Sequence, residues 1–223
     1  FERTVKNHND FHKSVSLYRK ILASQPDSSV IIVSVGFSTN LAQLLETKGD
    51  EFSPLSGKEL VAKKVRLLST MMGRFVDNVG EFNVTCDILS AQKLIQKWPT
   101  EIVLSPFEVG NKILYPASSI ENDFKWKEPN PLIVGYTNYL AMPYDRPTWD
   151  LTSVLYAIEK DKNFFKSSEQ GIVAIDDMGV TRFTPSSDGK HSYLTVSEEQ
   201  ARVIRDYFIK LITLKPLKYQ GSK

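Results

Sequence analysis

The sequence predicts an α/β protein: an open, mostly parallel, Rossmann-like sheet flanked by helices, with one small β-hairpin. Three observations predict it. Short apolar runs at Val30–Val33, Val65–Met71 and Glu101–Leu104 alternate with amphipathic stretches of helical period. Helix-opening signals stand between them, in Ser56-Gly57-Lys58-Glu59, Asp87 and Ser197-Glu198-Glu199-Gln200. Finally, Gly171–Ile175 and Thr181–Thr184 flank the tight segment Asp176-Asp177-Met178-Gly179 and read as the hairpin.

Taken in order, residues 1–10 are polar and irregular. A helix over Phe11–Ser24 turns Phe11, Val15, Tyr18 and Leu22 to one face, and Gln25-Pro26-Asp27 ends it. Val30–Val33 is a β-branched run, the mark of a strand covered on both faces. Gly36–Asn40 turns into a short helix carrying Leu41, Leu44 and Leu45. A polar loop through Asp50 and Pro54 reaches the Ser56 capping box, and Val65–Met71 is the next strand. Asp87 caps a helix through Ile88, Ala91, Leu94 and Ile95 to Trp98, before a third strand at Glu101–Leu104. Residues 115–130 read as a loop, with helices at 132–140 and 148–160. After the hairpin, a last helix turns Val203, Tyr207, Leu211 and Leu214 inward. Nothing repeats, and residues 1–223 read as a single domain with no internal linker.

Bulk composition narrows the function classes. A net charge of +2, with bases and acids interleaved, disfavours nucleic acid as a partner. The single cysteine, Cys86, excludes an internal disulfide and any multi-cysteine metal site. No apolar run approaches the roughly 20 residues of a membrane span. The composition suits a bacterial cytoplasmic or periplasmic enzyme.

In an open parallel sheet, ligands bind beyond the carboxyl ends of the strands. Three segments stand there: the turn at Val35 and Gly36, the loop from Met72 to Asn83, and the Arg146-Pro147-Thr148-Trp149-Asp150 turn at a helix mouth. A hard cation takes carboxylate and carbonyl oxygens, and a ribose takes acceptors such as Asn and Glu at its hydroxyls. Each residue also has an ordinary structural reading. Asp150 complements a helix dipole. Asn78, Glu81 and Asn83 are turn formers, Met72 is core, and Trp149 is packing or an aromatic wall for a base. His191 reads as solvated or locally bonded, and His8 and His12 lack metal-ligand spacing.

Joined in order, Val33-Ser34-Val35-Gly36-Phe37-Ser38-Thr39-Asn40, Met71-Met72-Gly73, Glu81-Phe82-Asn83 and Arg146-Pro147-Thr148-Trp149-Asp150 resemble the nucleoside hydrolase family in its inosine–uridine-preferring branch. The resemblance begins at Leu17-Tyr18-Arg19-Lys20-Ile21-Leu22-Ala23 and runs to the last helix. It implies hydrolysis of the N-glycosidic bond of a ribonucleoside or similar glycoside to ribose and free base, in purine and pyrimidine salvage. It implies calcium as cofactor, with the Val35 carbonyl and the Asp150 carboxylate among the ligands. Met72, Asn78, Glu81 and Asn83 are implied sugar contacts, Asp150 and Asn83 the catalytic pair, and Trp149 a wall for the base.

Two departures accompany the resemblance. Trp149 stands where the family's best-known members place a histidine that protonates the leaving base. The family's opening Asp-x-Asp-x-Gly-x-Asp-Asp signature, which supplies most calcium carboxylates and the general base, has no counterpart among these 223 residues. The expectation is therefore a truncated form without the first βα units, inactive alone. Its missing N-terminal segment or a homo-oligomer would be its partner. A non-catalytic binding or structural protein on the same scaffold is the alternative.

Overall fold

The computed structural model describes residues 5–126 and 129–217, so residues 1–4 of the expected irregular start lie outside the described residues. The elements follow in chain order. Helix α1 (Ser14–Ser24) leads to β1 (Val30–Ser34), α2 (Thr39–Leu45), α3 (Gly57–Lys64) and β2 (Val65–Met71). Next come α4 (Phe82–Thr85), α5 (Ile88–Lys97), β3 (Glu101–Ser105), α6 (Phe107–Lys112) and β4 (Leu114–Tyr115). Then α7 (Ala117–Asn122), α8 (Pro131–Tyr139), β5 (Arg146–Pro147) and α9 (Trp149–Ile158) complete the middle of the chain. The last part is β6 (Lys166–Ser167), β7 (Gly171–Ile175), β8 (Thr181–Pro185), β9 (His191–Thr195) and α10 (Glu198–Ile212).

Among the described residues one seven-stranded sheet forms, in the order β1-β2-β3-β9-β7-β8, with β6 added to β9. Strands β1, β2, β3 and β9 are parallel, in the register Val33, Ser69, Val103, Ser192. Alternation along the strands splits the core in two. Leu68, Ile102 and Leu104 face Leu41, Leu44, Leu60 and Leu94 on one side. Leu67, Val103 and Leu194 face Leu155, Ile204 and Phe208 on the other. Both capping boxes form: Ser56 and Ser197 accept from the Glu59 and Gln200 amides, whose side chains bond back. No helix among the described residues is long and apolar enough to cross a membrane.

Several expectations need correction. Residues 115–130 are not all loop, since α7 forms behind Pro116, whose fixed φ suits a helix start. Phe11 precedes α1 and is exposed. Strand β1 is covered on both faces, with Ile32 and Val30 in one cluster and Ile31 against the other, but it is an edge: among the described residues it pairs with β2 alone, and only Ile32 in it is fully buried. Helix α10 turns Ala201, Ile204 and Phe208 to the core, leaving Val203, Leu211 and Leu214 exposed and Tyr207 part-buried. The helix carries two apolar stripes, and the tighter one packs. Strand β9 went unread because only Tyr193 and Leu194 in it are apolar. Its central place is set by its partners rather than by its own propensity. His191 consequently is not solvated: it is buried, and its Nδ1 accepts from the Val173 amide at 2.9 Å.

Candidate functional site

Helix α9 lies against β1, β2 and β3 with its first turn at their carboxyl ends. Two bonds fix it there. The Ser105 and Thr152 hydroxyls meet at 2.6 Å, and Ser69 donates to the Ser153 carbonyl at 2.8 Å. Asp150 is thereby held at that edge. Asp150 is exposed, yet desolvation by the surrounding protein raises its carboxyl above the usual range, and the nearby Arg146 guanidinium opposes the shift.

Beyond β2 the chain turns sharply at Gly73, whose φ of +89° lies in the region open chiefly to glycine. The turn is pinned on several sides. Phe107 donates its amide to the Gly73 carbonyl at 2.9 Å, and Phe75 donates to Glu108 Oε1 at 3.2 Å. Thr181, from β8, accepts from the Arg74 amide and donates to the Arg74 carbonyl, both at 2.9 Å. Met72 is fully buried beneath the turn, packed in the core cluster with Val84 and Leu104.

Glu81 caps α4, its Oε1 accepting from the Asn83 amide at 2.9 Å. Asn83 reaches back to the Met71 carbonyl at 3.1 Å, which ties this pair to the end of β2. Glu81 is only 4% exposed, and its Oε2 has no partner. Burial accordingly raises its carboxyl above the ordinary value. A native structure rarely leaves such an oxygen unbonded, and a ligand hydroxyl or water is what it suits. Val35 follows β1 directly and is exposed at the same edge, and the exposed Phe37 and Phe82 rings lie 6.1 Å apart.

The structure thus brings Val35, Met72, Glu81, Asn83, Trp149 and Asp150 to one edge of the sheet. Asn78 stands apart on the outer loop, exposed, with Oδ1 accepting from Arg182 at 3.1 Å. Trp149 stacks on Phe107 at 5.6 Å and donates its indole N–H to the Phe107 carbonyl at 3.1 Å. Gly110 lets it approach, since a Cβ there would lie 2.4 Å from the Trp149 Cα. Trp149 and Asp150 also wall a cavity of about 470 Å³, together with Tyr115, Leu132, Tyr136 and Arg146. Sequence reading assigned no role to Tyr115, Tyr136 or Arg146. The uncharged stretch Pro131–Tyr139 was the available signal, because a helix without charges needs an apolar neighbour.

Among the described residues no group of three or more His, Cys, Asp or Glu side chains is placed to hold a metal ion. The Asp150 carboxylate and Val35 carbonyl supply two oxygens, against the 6–8 that calcium takes. By themselves they do not fit a calcium site.

A family model described as inosine-uridine preferring nucleoside hydrolase matches residues 2–207. No curated protein matches the chain. Among solved structures, an inosine-uridine preferring nucleoside hydrolase from Bacillus anthracis is 16% identical with a TM-score of 0.65, covering 91% of this chain and 65% of its own. A purine-preferring ribonucleoside hydrolase from Gardnerella vaginalis is 12% identical with a TM-score of 0.67, covering 92% and 67%. A type III effector protein complexed with adenosine diphosphate ribose is 14% identical with a TM-score of 0.59, covering 90% and 65%. The chain spans about two thirds of the length of each of these structures. At such identities the likeness is one of fold.

Proposed function

Since the chain belongs to the inosine-uridine preferring nucleoside hydrolase family, we propose that it carries the sugar- and base-facing part of a ribonucleoside N-glycosidase. The complete protein would cleave the N-glycosidic bond to ribose and a free base, for purine and pyrimidine salvage. One observation carries this reading. Glu81, whose Oε2 is unbonded among the described residues, stands with Asn83 past the end of β2, and Asp150 stands on the cavity wall where α9 begins, which supports the reading.

In this reading Glu81 and Asn83 hold the ribose hydroxyls, with Met72 fixing the turn beneath them. The cavity beside Trp149 receives the base. Trp149 offers a ring face and no proton, because its N–H is already given to Phe107. Calcium, in the complete site, would take Asp150 and the Val35 carbonyl along with ligands that the described residues do not provide. Among the described residues no group is placed as a general base, an aid worth ~10²–10⁴-fold, and in this reading the chain alone does not turn over nucleosides at a measurable rate. A second reading, a binding protein that kept the scaffold without the chemistry, is favoured by the same lack of an acidic cluster among the described residues.

The test is direct. The purified chain is given inosine or uridine with calcium, and ribose release and ribose binding are both measured. The expected result is no turnover, with ribose binding lost in Glu81→Gln and Asn83→Ala. Turnover by the chain alone overturns the inactivity, and absence of any sugar binding overturns the site.

A further inference from the structure

The cavity walled by Trp149 holds one cation, Arg146, and we propose that its guanidinium stabilises the departing base as an anion, so that leaving-group activation here is by charge rather than by proton transfer. The inference rests on the reading of this cavity as the base pocket.

The argument is by elimination of donors. Trp149 Nε1 donates to the Phe107 carbonyl at 3.1 Å. The Tyr115 hydroxyl is held by Ser119 at 2.8 Å, and Thr148 donates to the Ile113 carbonyl at 2.8 Å. The Tyr136 phenol is a neutral donor, and burial keeps it protonated. Its ring is clamped by Tyr144, stacked at 5.4 Å, while the Tyr144 hydroxyl donates to the Tyr136 carbonyl at 2.9 Å. Arg146 differs from all of these. Its guanidinium sits 4.0 Å above the Tyr139 ring, and no carboxylate among the described residues forms an ion pair with it. An aromatic face holds a guanidinium in place without neutralising it, and leaves its N–H groups free in the plane.

That arrangement suits an N-glycoside when the remaining donor, the Tyr136 phenol, is a poor acid. The C1′–N bond breaks and its electron pair leaves on the ring nitrogen, while the water oxygen bonds to C1′. One water proton stays on the new sugar hydroxyl, and the other ends on the departed ring. Charge develops on the ring in the transition state, where a fixed cation at the cavity wall acts most strongly. Two groups oppose it or share it: the Asp150 carboxylate on the same wall, and the Tyr136 phenol, both within the field of Arg146.

The readout is ligand ionisation rather than turnover. Xanthine, a purine whose ring ionises near neutral pH, is titrated by ultraviolet absorbance free and bound to the full chain. Binding is expected to lower its ionisation by about one pH unit, as one nearby opposite charge does. Arg146→Met should abolish the shift, while Arg146→Lys keeps part of it. An unchanged shift in Arg146→Met, or bound xanthine with no shift in the parent chain, overturns the proposal and leaves the base pocket standing. Failure of the parent chain to bind any base overturns both.

Discussion

Arg19 and Asp50 meet as a two-point fork, Nε to Oδ2 at 2.6 Å and Nη2 to Oδ1 at 2.9 Å. Arg19 is 2% exposed, and its remaining donors go to Thr47 Oγ1 and to the Ser53 and Leu55 carbonyls. One side chain thereby organises the whole loop between α2 and α3, which sequence reading saw only as polar.

Removing the acid should leave that cation buried and half-paired. Asp50→Ala is expected to lose about 3 kcal/mol of stability, read from urea denaturation. The Asp50 carboxyl is held down to about 2, chiefly by the Arg19 hydrogen bond. A depressed acid stabilises in full above its unfolded value, so the contribution should vanish as pH falls from near 4 to near 2. A parent and variant equally stable at pH 7 would refute this.

His191 predicts a second pH dependence, of the same sign and at higher pH. Its Nδ1 accepts from Val173, its other bond is to the backbone of Ile95, and burial lowers its pKa below 6.5. The unfolded chain takes a proton that the folded chain refuses. Stability is therefore full above pH 6.5 and declines below it, at no more than about 1.4 kcal/mol per pH unit for this group. His191→Gln should flatten that part of the melting-temperature profile. Retention of the same slope would place the titration elsewhere.

Glu81 should trade stability for binding. Burial raises its carboxyl, so its contribution is best below pH 4.5 and is lost as pH rises through the folded value. Glu81→Gln is expected to stabilise the chain at pH 7 by about 1 kcal/mol, the scale of one unsatisfied buried group. The same change should weaken ribose binding. A variant that loses stability at pH 7 would mean the carboxylate is structurally required.

Gly110→Ala tests the seat of Trp149. The added methyl would lie 2.4 Å from the Trp149 Cα and 2.5 Å from its Cδ1, and backbone cannot yield as a flexible tip can. The expected cost is about 2 kcal/mol, with altered indole fluorescence. An unchanged spectrum and melting temperature would show that α6 and α9 separate without penalty.

What was legible in the sequence was whatever local chemistry decides. Ser56 and Ser197 signalled helices through side chains that bond their own backbone. Val65–Met71 and Glu101–Leu104 signalled strands through short apolar-rich segments alternating with helical ones, and the hairpin lies where Asp176–Gly179 turns. Residues whose role depends on distant partners were not legible. His191 reads as polar until β3 and β7 lie beside it, and Arg19 reads as a surface base until Asp50 comes under it. In the site, Asp150, Glu81 and Asn83 were visible in their motifs. Arg146 stood in one of those motifs with no role, because only the fold shows it alone among rings.

The pair of hydrogen bonds between Thr181 and Arg74 has a kinetic consequence. The turn that seats the proposed sugar is stitched, 107 positions along the chain, to a hairpin strand at the sheet's antiparallel margin. Such margins open more readily than central strands do. Each opening of that hairpin would free one of the turn's tethers, so the Arg74 amide should exchange with solvent at the tempo of β8 rather than that of β2. The sugar seat would then feel the margin of the sheet, and a contact that quietens the hairpin would act on it from a distance.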